Sequence, residues 1–327
     1  MPMPDIVTFG EAMLRFTPPG MQRLEQAHAY DVWVAGAELN VAVGLSRLGA
    51  SAGWVSRLPD NALGRRVASH ARGNGVDTAG VEWAEEGRLG LFFVEVGQAP
   101  RPSATLYDRD DSAFAALDPT AFDWTALLDG ARAFHTSGIT PAISHGCEQA
   151  TGDALRAARA AGCHTSYDLN FRGRVTTPAD ARRCLERFAP AVDTLVASMG
   201  EVEAVFGLAG PPADVAAQLR DVIGIERVVV STRIDIQDGL QLRHSALADG
   251  AVLEGESPAF RTVDPLGGGD AFSAGFLLGL LDEGPRRGLE MAGAVAALKQ
   301  SIPGDFAILV REEVEHLLDG GDGRTRR

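Results

Sequence analysis

The sequence predicts a doubly wound α/β fold: a mostly parallel sheet with helices on both faces, plus a small β-sheet lid. Three observations carry this expectation. Strand-like and helical stretches alternate along most of the chain, the rhythm of successive βαβ units. Val228-Val229-Val230, following Arg227, is wholly apolar, as expected at the centre of a parallel sheet. Met13 to Val34 and Leu89 to Tyr107 instead show strand-like alternation without intervening helices, so their pieces can pair as a separate small sheet. Such a sheet can close over a site. The pieces could equally be plain surface hairpins.

In chain order, Ile6 to Phe9 is short and apolar and ends at Gly10, which reads as a first strand. Asn40 to Leu48 has apolar residues at helical spacing (Val41, Val43, Leu45, Leu48), with Gly49 as the C-terminal stop. Asn40 itself could be that helix's N-cap. Ala52 to Ser56 reads as a strand, Gly64 to Gly73 as a helix and Ala131 to His135 as a strand. Glu148 to Ala161 is an Ala-rich helix stopped by Gly162, and His164 to Asp168 is the next strand. Thr194 to Ala197 and Glu201 to Phe206 repeat the strand–helix pair. The expected organisation is one α/β domain over 1–318, a discontinuous lid from about 12–35 and 89–110, and a frayed tail over 319–327.

Composition narrows the classes of function. The 327 residues are 45% hydrophobic, ample for a core, and carry a net charge of −14. An acidic surface repels phosphate backbones, so no nucleic-acid partner is expected. An anionic substrate would need a local Arg cluster. Lys299 is the single Lys among 30 basic residues. Three widely spaced cysteines, Cys147, Cys163 and Cys184, suit neither a disulfide framework nor a zinc site and fit a reducing, cytoplasmic setting. No apolar run approaches the roughly 18 residues of a membrane span, and the N-terminus lacks a basic, signal-like start.

The chemistry concentrates in Asp264-Pro265-Leu266-Gly267-Gly268-Gly269-Asp270-Ala271-Phe272. A strand-like piece, Phe260 to Val263, leads into three glycines, and an apolar helix from Ala271 to Leu281 follows. Uncovered glycine amides at a helix N-terminus make an anion site. A carboxylate there is self-defeating unless it works. As a base it could take the proton of a hydroxyl attacking a γ-phosphoryl group, while the amides of Gly267, Gly268 and Gly269 stabilise the transferring charge. The helix N-terminus should favour ionised Asp270. A plain Asp cap after a glycine turn is the other reading. A P-loop is excluded because Lys299 follows Leu298 rather than a glycine. The His-Arg-Asp loop of protein kinases is absent, and Gly10-Glu11 lacks the spacing of a dinucleotide fingerprint.

Two signatures together resemble the ribokinase (PfkB-type) carbohydrate kinases over nearly the whole chain. One is Asp264 to Gly275, with Gly267-Gly268-Gly269-Asp270 in place of the commoner Gly-Ala-Gly-Asp. The other is Val34-Ala35-Gly36-Ala37-Glu38-Leu39-Asn40-Val41-Ala42 followed by Leu45-Ser46-Arg47-Leu48-Gly49. Within the family the chain looks most like 2-keto-3-deoxygluconate kinases. The matching pieces are Gly36-Ala37-Glu38-Leu39-Asn40, Tyr107-Asp108-Arg109, Ser137-Gly138-Ile139-Thr140, Asp168-Leu169-Asn170-Phe171-Arg172 and Ser301-Ile302-Pro303-Gly304-Asp305-Phe306. Sister kinases for fructose and other sugars share much of the scaffold.

The resemblance implies a ribokinase-like fold, ATP and Mg²⁺ as cofactors, and phosphorylation of a sugar or sugar acid. It implies that Gly36, Ala37 and Asn40 line the sugar pocket with Ile139, and that Phe92, Tyr107 and Arg109 approach from the lid. Arg172 would meet the acid's carboxylate or the ATP phosphates, and Asp305 would sit near the substrate or the nucleotide end. Asn170, Ser198, Ser231, Arg233, Gly267 and Gly269 would face the nucleotide, and Glu201 would help hold Mg²⁺ through water. Three departures stand out: Ser198 replaces the usual Asn, Ser231-Thr232-Arg233 replaces a Lys-x-Gly pattern, and Gly173-Arg174-Val175 replaces a Trp-containing continuation. The exposed face of a lid sheet would also invite pairing, so a homodimer through the lid is an expected arrangement.

Overall fold

The computed structural model describes residues 4–237 and 239–321. Its strands are β1 (Ile6–Phe9), β2 (Met13–Thr17), β3 (Asp31–Ala35), β4 (Ala52–Pro59), β5 (Val81–Ala84), β6 (Gly90–Glu95) and β7 (Ala104–Asp108), then β8 (Ala133–Ser137), β9 (His164–Asp168), β10 (Thr194–Ser198), β11 (Arg227–Ile236), β12 (Gly239–Ala248) and β13 (Ala251–Glu256). The helices are α1 (Ala37–Arg47), α2 (Ala62–Gly73), α3 (Trp124–Leu127), α4 (His145–Ala160), α5 (Pro178–Phe188), α6 (Met199–Phe206), α7 (Pro212–Ile223), α8 (Gly268–Glu283), α9 (Pro285–Gln300) and α10 (Arg311–Leu318).

Nine strands form the main sheet in the order β13-β12-β11-β10-β9-β8-β1-β4-β5. Pairing is parallel from β11 to β5 and antiparallel where β12 and β13 close the edge. Side chains alternate between two apolar layers, as the pleat demands. Val228 and Val230 join Leu219 of α7 on one face. Val229 joins Ala292 and Ala296 of α9 on the other. Helix α8 is buried nearly all round, and Gly275 lets α9 approach it, since a Cβ there would lie 2.8 Å from the Met291 carbonyl oxygen. The chain runs from β1 outward to β4 and β5, then returns to β8 on the other side of β1. Strand order therefore reverses between β1 and β8, and open α/β sheets bind ligands at such a reversal, beyond the carboxyl ends of the strands.

The four-stranded second sheet has the order β3-β2-β6-β7. Its strands β2 and β3 leave the main sheet after β1 and rejoin it at α1, and β6 and β7 form a second excursion between β5 and β8. The β1–β2 and β3–α1 crossings touch closely: a Cβ on Gly36 would lie 2.4 Å from the Glu11 carbonyl oxygen.

Several expectations change. Helix α1 starts at Ala37, and Asn40 is inside it, its N–H bonded to the Gly36 carbonyl at 2.7 Å, so Asn40 is not an N-cap. Phe260 to Val263 is not a strand: Phe260 bridges Leu240, while Val263 and Asp264 donate to the Gln300 carbonyl at the end of α9. That carbonyl satisfies the backbone where a ladder partner was expected. Strand β11 is not interior to a parallel sheet, because β12 flanks it antiparallel. The expected frayed tail begins ordered: Asp319 caps α10, Gly320 and Gly321 donate back to Leu317 and His316, and 322–327 lies outside the described residues. Among the described residues no helix is long and apolar enough to cross a membrane.

Candidate active site

The turn before α8 needs a glycine at its head, for its left-handed backbone and for want of room. Gly267 caps the helix at φ 77°, and a Cβ there would fall 1.9 Å from the Asp305 carbonyl oxygen. Gly269 faces open space: a Cβ added to it would meet nothing within 4 Å. Of the three expected anion-binding amides, that of Gly268 is partly spent on the Pro265 carbonyl at 3.3 Å. Among the described residues no backbone carbonyl takes the N–H of Gly267, Gly269 or Asp270. The freest amides are therefore those of Gly267, Gly269 and Asp270, the last because it sits in the first turn, where helix amides lack partners.

Asp270 opens onto a cavity instead of capping its own helix. Its Oδ2 accepts from Asn40 Nδ2 at 2.6 Å, an interaction α1 permits by placing Asn40 one turn into the helix. Burial pushes the Asp270 carboxyl above its ordinary value, while the Asn40 hydrogen bond, Arg172 and Lys299 pull it down. The expectation of a fully favoured carboxylate is thus opposed by desolvation. A base with a somewhat raised pKa is the stronger base.

A cavity of about 110 Å³ lies between the lid and the main sheet. Gly36, Ala37, Asn40 and Ile139 line it from the core, Phe92, Tyr107 and Arg109 from the lid, and Asn170, Arg172, Asp305 and Asp270 complete the wall. Phe92 and Tyr107 stack at 5.8 Å, and the Arg109 guanidinium lies 6.0 Å from the Tyr107 ring. Several buried polar atoms here have no hydrogen-bond partner among the described residues: Asn40 Oδ1, Asn170 Oδ1, and Nε and Nη1 of Arg109. Buried polar groups are rarely left so. The third Arg109 nitrogen, Nη2, is held by Glu11, which also accepts from Ser112. Sequence reasoning missed Glu11, Met13, Ala35 and Leu266 in this wall. Glu11 lies two residues beyond the first strand, a position the strand-order reversal makes informative only once the topology is known.

A second cleft of about 450 Å³ meets the first at Asp270, Gly267, Leu266, Asn170 and Arg172. Gly268, Gly269, Ser198, Glu201, Ser231 and Arg233 line it, so every residue expected to face a nucleotide or metal is in this one space. Three of them already have partners. Ser198 and Glu201 form a capping box at the start of α6, with Oε2 of Glu201 accepting from Ser198 at 2.8 Å. Glu201 Oε1 pairs with Arg172 at 3.2 Å. Arg233 reaches Gln300 at 3.3 Å. Asp168, to which the sequence alone gave no role, also lines the cleft. Its carboxyl is pushed well up by burial and then by the nearby Glu201 and Asp270. Among the described residues no three His, Cys, Asp or Glu side chains could hold a metal alone. Asp168 and Glu201 beside an anion turn nevertheless suit Mg²⁺, which takes one or two carboxylates and leaves its other positions to phosphate and water.

A buried charged layer backs both cavities. Arg15 of lid strand β2 pairs with Asp264 at 2.5 Å and Asp305 at 2.9 Å, tying the lid's base to the glycine turn. Burial lifts Asp305 to about 7, against the pull of Arg15.

Comparison with known proteins agrees with this geometry. The family profile described as pfkB family carbohydrate kinase matches residues 3–305. A 2-dehydro-3-deoxygalactonokinase of Haloferax volcanii is 43% identical over 328 residues, covering 99% of each chain. The crystal structure of a 2-dehydro-3-deoxygluconokinase from Thermotoga maritima is 35% identical, with a TM-score of 0.89 over 97% of this chain and 99% of that one. A ribokinase II-type protein from E. coli, solved in complex with ATP and Mg²⁺, shares the fold at 22% identity, with a TM-score of 0.83 over 97% of this chain and 100% of that one. A glycine turn heading a buried helix, a carboxylate shared by two cavities and a second sheet above them thus occur in a chain that the profile matches almost throughout: this protein belongs to the pfkB family and is a carbohydrate kinase.

Proposed function

We infer that this kinase transfers the γ-phosphoryl group of ATP to a hydroxyl of a 2-keto-3-deoxy sugar acid, the gluconate or its galacto epimer, giving the 6-phosphate. One observation carries the substrate class. The cavity that holds Asp270 also holds Arg109, whose buried Nε and Nη1 lack partners among the described residues. Either nitrogen can donate to a carboxylate, and guanidinium is a carboxylate's natural partner. The relative from Haloferax volcanii carries the name of a galactonate-derived kinase. The relative from Thermotoga maritima carries that of a gluconate-derived one.

In this reading the sugar lies in the smaller cavity and ATP in the larger. Asp270, where the two meet, takes the proton of the attacking hydroxyl. The amides of Gly267, Gly269 and Asp270 receive the phosphoryl oxygens. Mg²⁺, held by Asp168 and Glu201 directly or through water, would neutralise phosphate charge. Ser231 and Arg233 flank the nucleotide, and the lid excludes water. The outer lid face clusters Phe16, Tyr30 and Phe93 and exposes Leu106, which supports pairing of two lids in a homodimer. Three free thiols fit a cytoplasmic protein.

A neutral sugar such as fructose is the second reading. It is favoured by the ion pairs that Arg109 and Arg172 already make with Glu11 and Glu201. Measuring ADP release with 2-keto-3-deoxygluconate, its galacto epimer, fructose and ribose separates the two. Asp270→Asn should lower kcat roughly 100-fold or more and leave sugar binding by calorimetry nearly unchanged, because a general base acts in the transition state. An Asn variant with near wild-type turnover would remove Asp270 from the chemistry.

A further inference from the structure

Lys299 is the chain's single lysine, and it is fully buried at the end of α9. A buried ammonium normally seeks a carboxylate. Among the described residues this one has none within ion-pair distance; its Nζ donates to two backbone carbonyls, of Asp264 at 3.2 Å and of Ile302 at 3.3 Å. Both carbonyls belong to segments that build the anion turn. Asp264 opens the turn, and its side chain accepts from Leu266 N–H at 3.1 Å and Gly304 N–H at 3.0 Å. Ile302 begins the loop that brings the Asp305 carbonyl against Gly267. The ammonium therefore joins the turn to the loop supporting it.

The residue type matters. An ammonium is a compact point charge that carbonyl oxygens can surround, whereas guanidinium is a planar fork suited to carboxylates. A chain that uses Arg for every other basic side chain has a Lys only where carbonyls converge. Burial pulls its pKa down, and Asp264, Asp305 and Asp270 all push it back up. Those three carboxylates surround a turn proposed to receive a phosphoryl group, so a fixed positive charge behind it offsets their repulsion.

The geometry points to Lys299 as a positioning residue that acts as a built-in monovalent cation, holding the Asp264–Gly267 turn in its anion-binding shape without any free ion. The inference rests on the proposed role of that turn in phosphoryl transfer. Its first test uses the wild-type protein. Turnover should agree within about twofold in potassium chloride and in tetramethylammonium chloride at equal ionic strength; activation by potassium of roughly fivefold or more overturns the inference. In Lys299→Met, kcat should fall roughly 10- to 100-fold with sugar KM within about threefold, since preorganisation is lost and not ground-state binding. In Lys299→Ala, ammonium or potassium ions should restore kcat at least about fivefold by occupying the carbonyl cage, and tetramethylammonium should not. Wild-type kcat in Lys299→Met, or a folded Lys299→Ala that no small cation rescues, overturns the inference. If neither variant folds, the wild-type salt comparison decides. A wild-type protein that phosphorylates no sugar removes the phosphoryl reading itself, an outcome separate from any of these.

Discussion

Replacing Gly267 with Ala tests how the glycine turn is built. In the native chain Gly267 has φ 77°, in the left-handed region. A side chain there costs about 1–2 kcal/mol. The larger effect is steric: the new Cβ would stand 1.9 Å from the Asp305 carbonyl oxygen, and real Cβ contacts do not fall below 3.0 Å. The turn and the 302–305 loop must separate by about 1 Å, yet Lys299, Asp264 and Arg15 bind them together. The combined loss of stability should be about 2–4 kcal/mol, within the range of single substitutions with a named steric cause. Displacing catalytic groups by about 1 Å should lower kcat roughly 100-fold. Guanidinium chloride unfolding gives the first quantity and coupled ADP-release kinetics the second. Gly269→Ala supplies the stability contrast. Its Cβ meets nothing within 4 Å, so unfolding should move by less than about 1 kcal/mol and towards greater stability, as alanine favours a helix. If Gly267→Ala unfolds at the wild-type midpoint and turns over within about threefold of wild type, the steric origin of this turn is refuted.

Two further outcomes follow from buried charge. Glu38 is raised to about 7 by burial, despite hydrogen bonds from Ser137 and Thr140 to its Oε1. The native state then keeps a proton that the unfolded chain releases between about pH 4.5 and 7, so this group lowers stability as pH rises through that window and contributes no further slope above it. Relative to Glu38→Gln, the wild type should lose roughly 3 kcal/mol across the window, read from urea midpoints at several pH values; parallel curves would contradict the assignment. Arg109→Ala leaves Glu11 buried beside Ser112 alone and should cost about 3–5 kcal/mol of stability. Under the acid-sugar reading it should also lower kcat/KM for 2-keto-3-deoxygluconate far more than for fructose, and an equal loss for both would favour the neutral-sugar reading.

The strand–helix alternation was legible because it depends on local periodicity. Residues such as Val228 and Val230 must all be apolar when both faces of a sheet are covered. The glycine turn before α8 was legible for a related reason: three consecutive glycines before an apolar helix have few structural uses. Boundaries were less legible. The alternative reading of Asn40 as a cap rested on local chemistry, but the helix begins at Ala37 with Gly36 at its N-cap, so Asn40 lies one turn inside. The segment Phe260 to Val263 looked like a strand because its residue types suit one. Its backbone groups found Gln300 at a helix end instead, a partner distant in sequence.

By itself the sequence determined the fold class, the strand-like stretches outside the βαβ rhythm, the glycine turn and the residue types around it, because each depends on neighbours along the chain. Tertiary structure alone decided that Asp270 faces a cavity through Asn40, that Arg109 and Glu201 are already paired, and that Lys299 holds carbonyls behind the turn. Those contacts join residues up to 230 positions apart. Their energies come from burial and from the exclusion of water, and neither quantity exists until the chain has closed on itself.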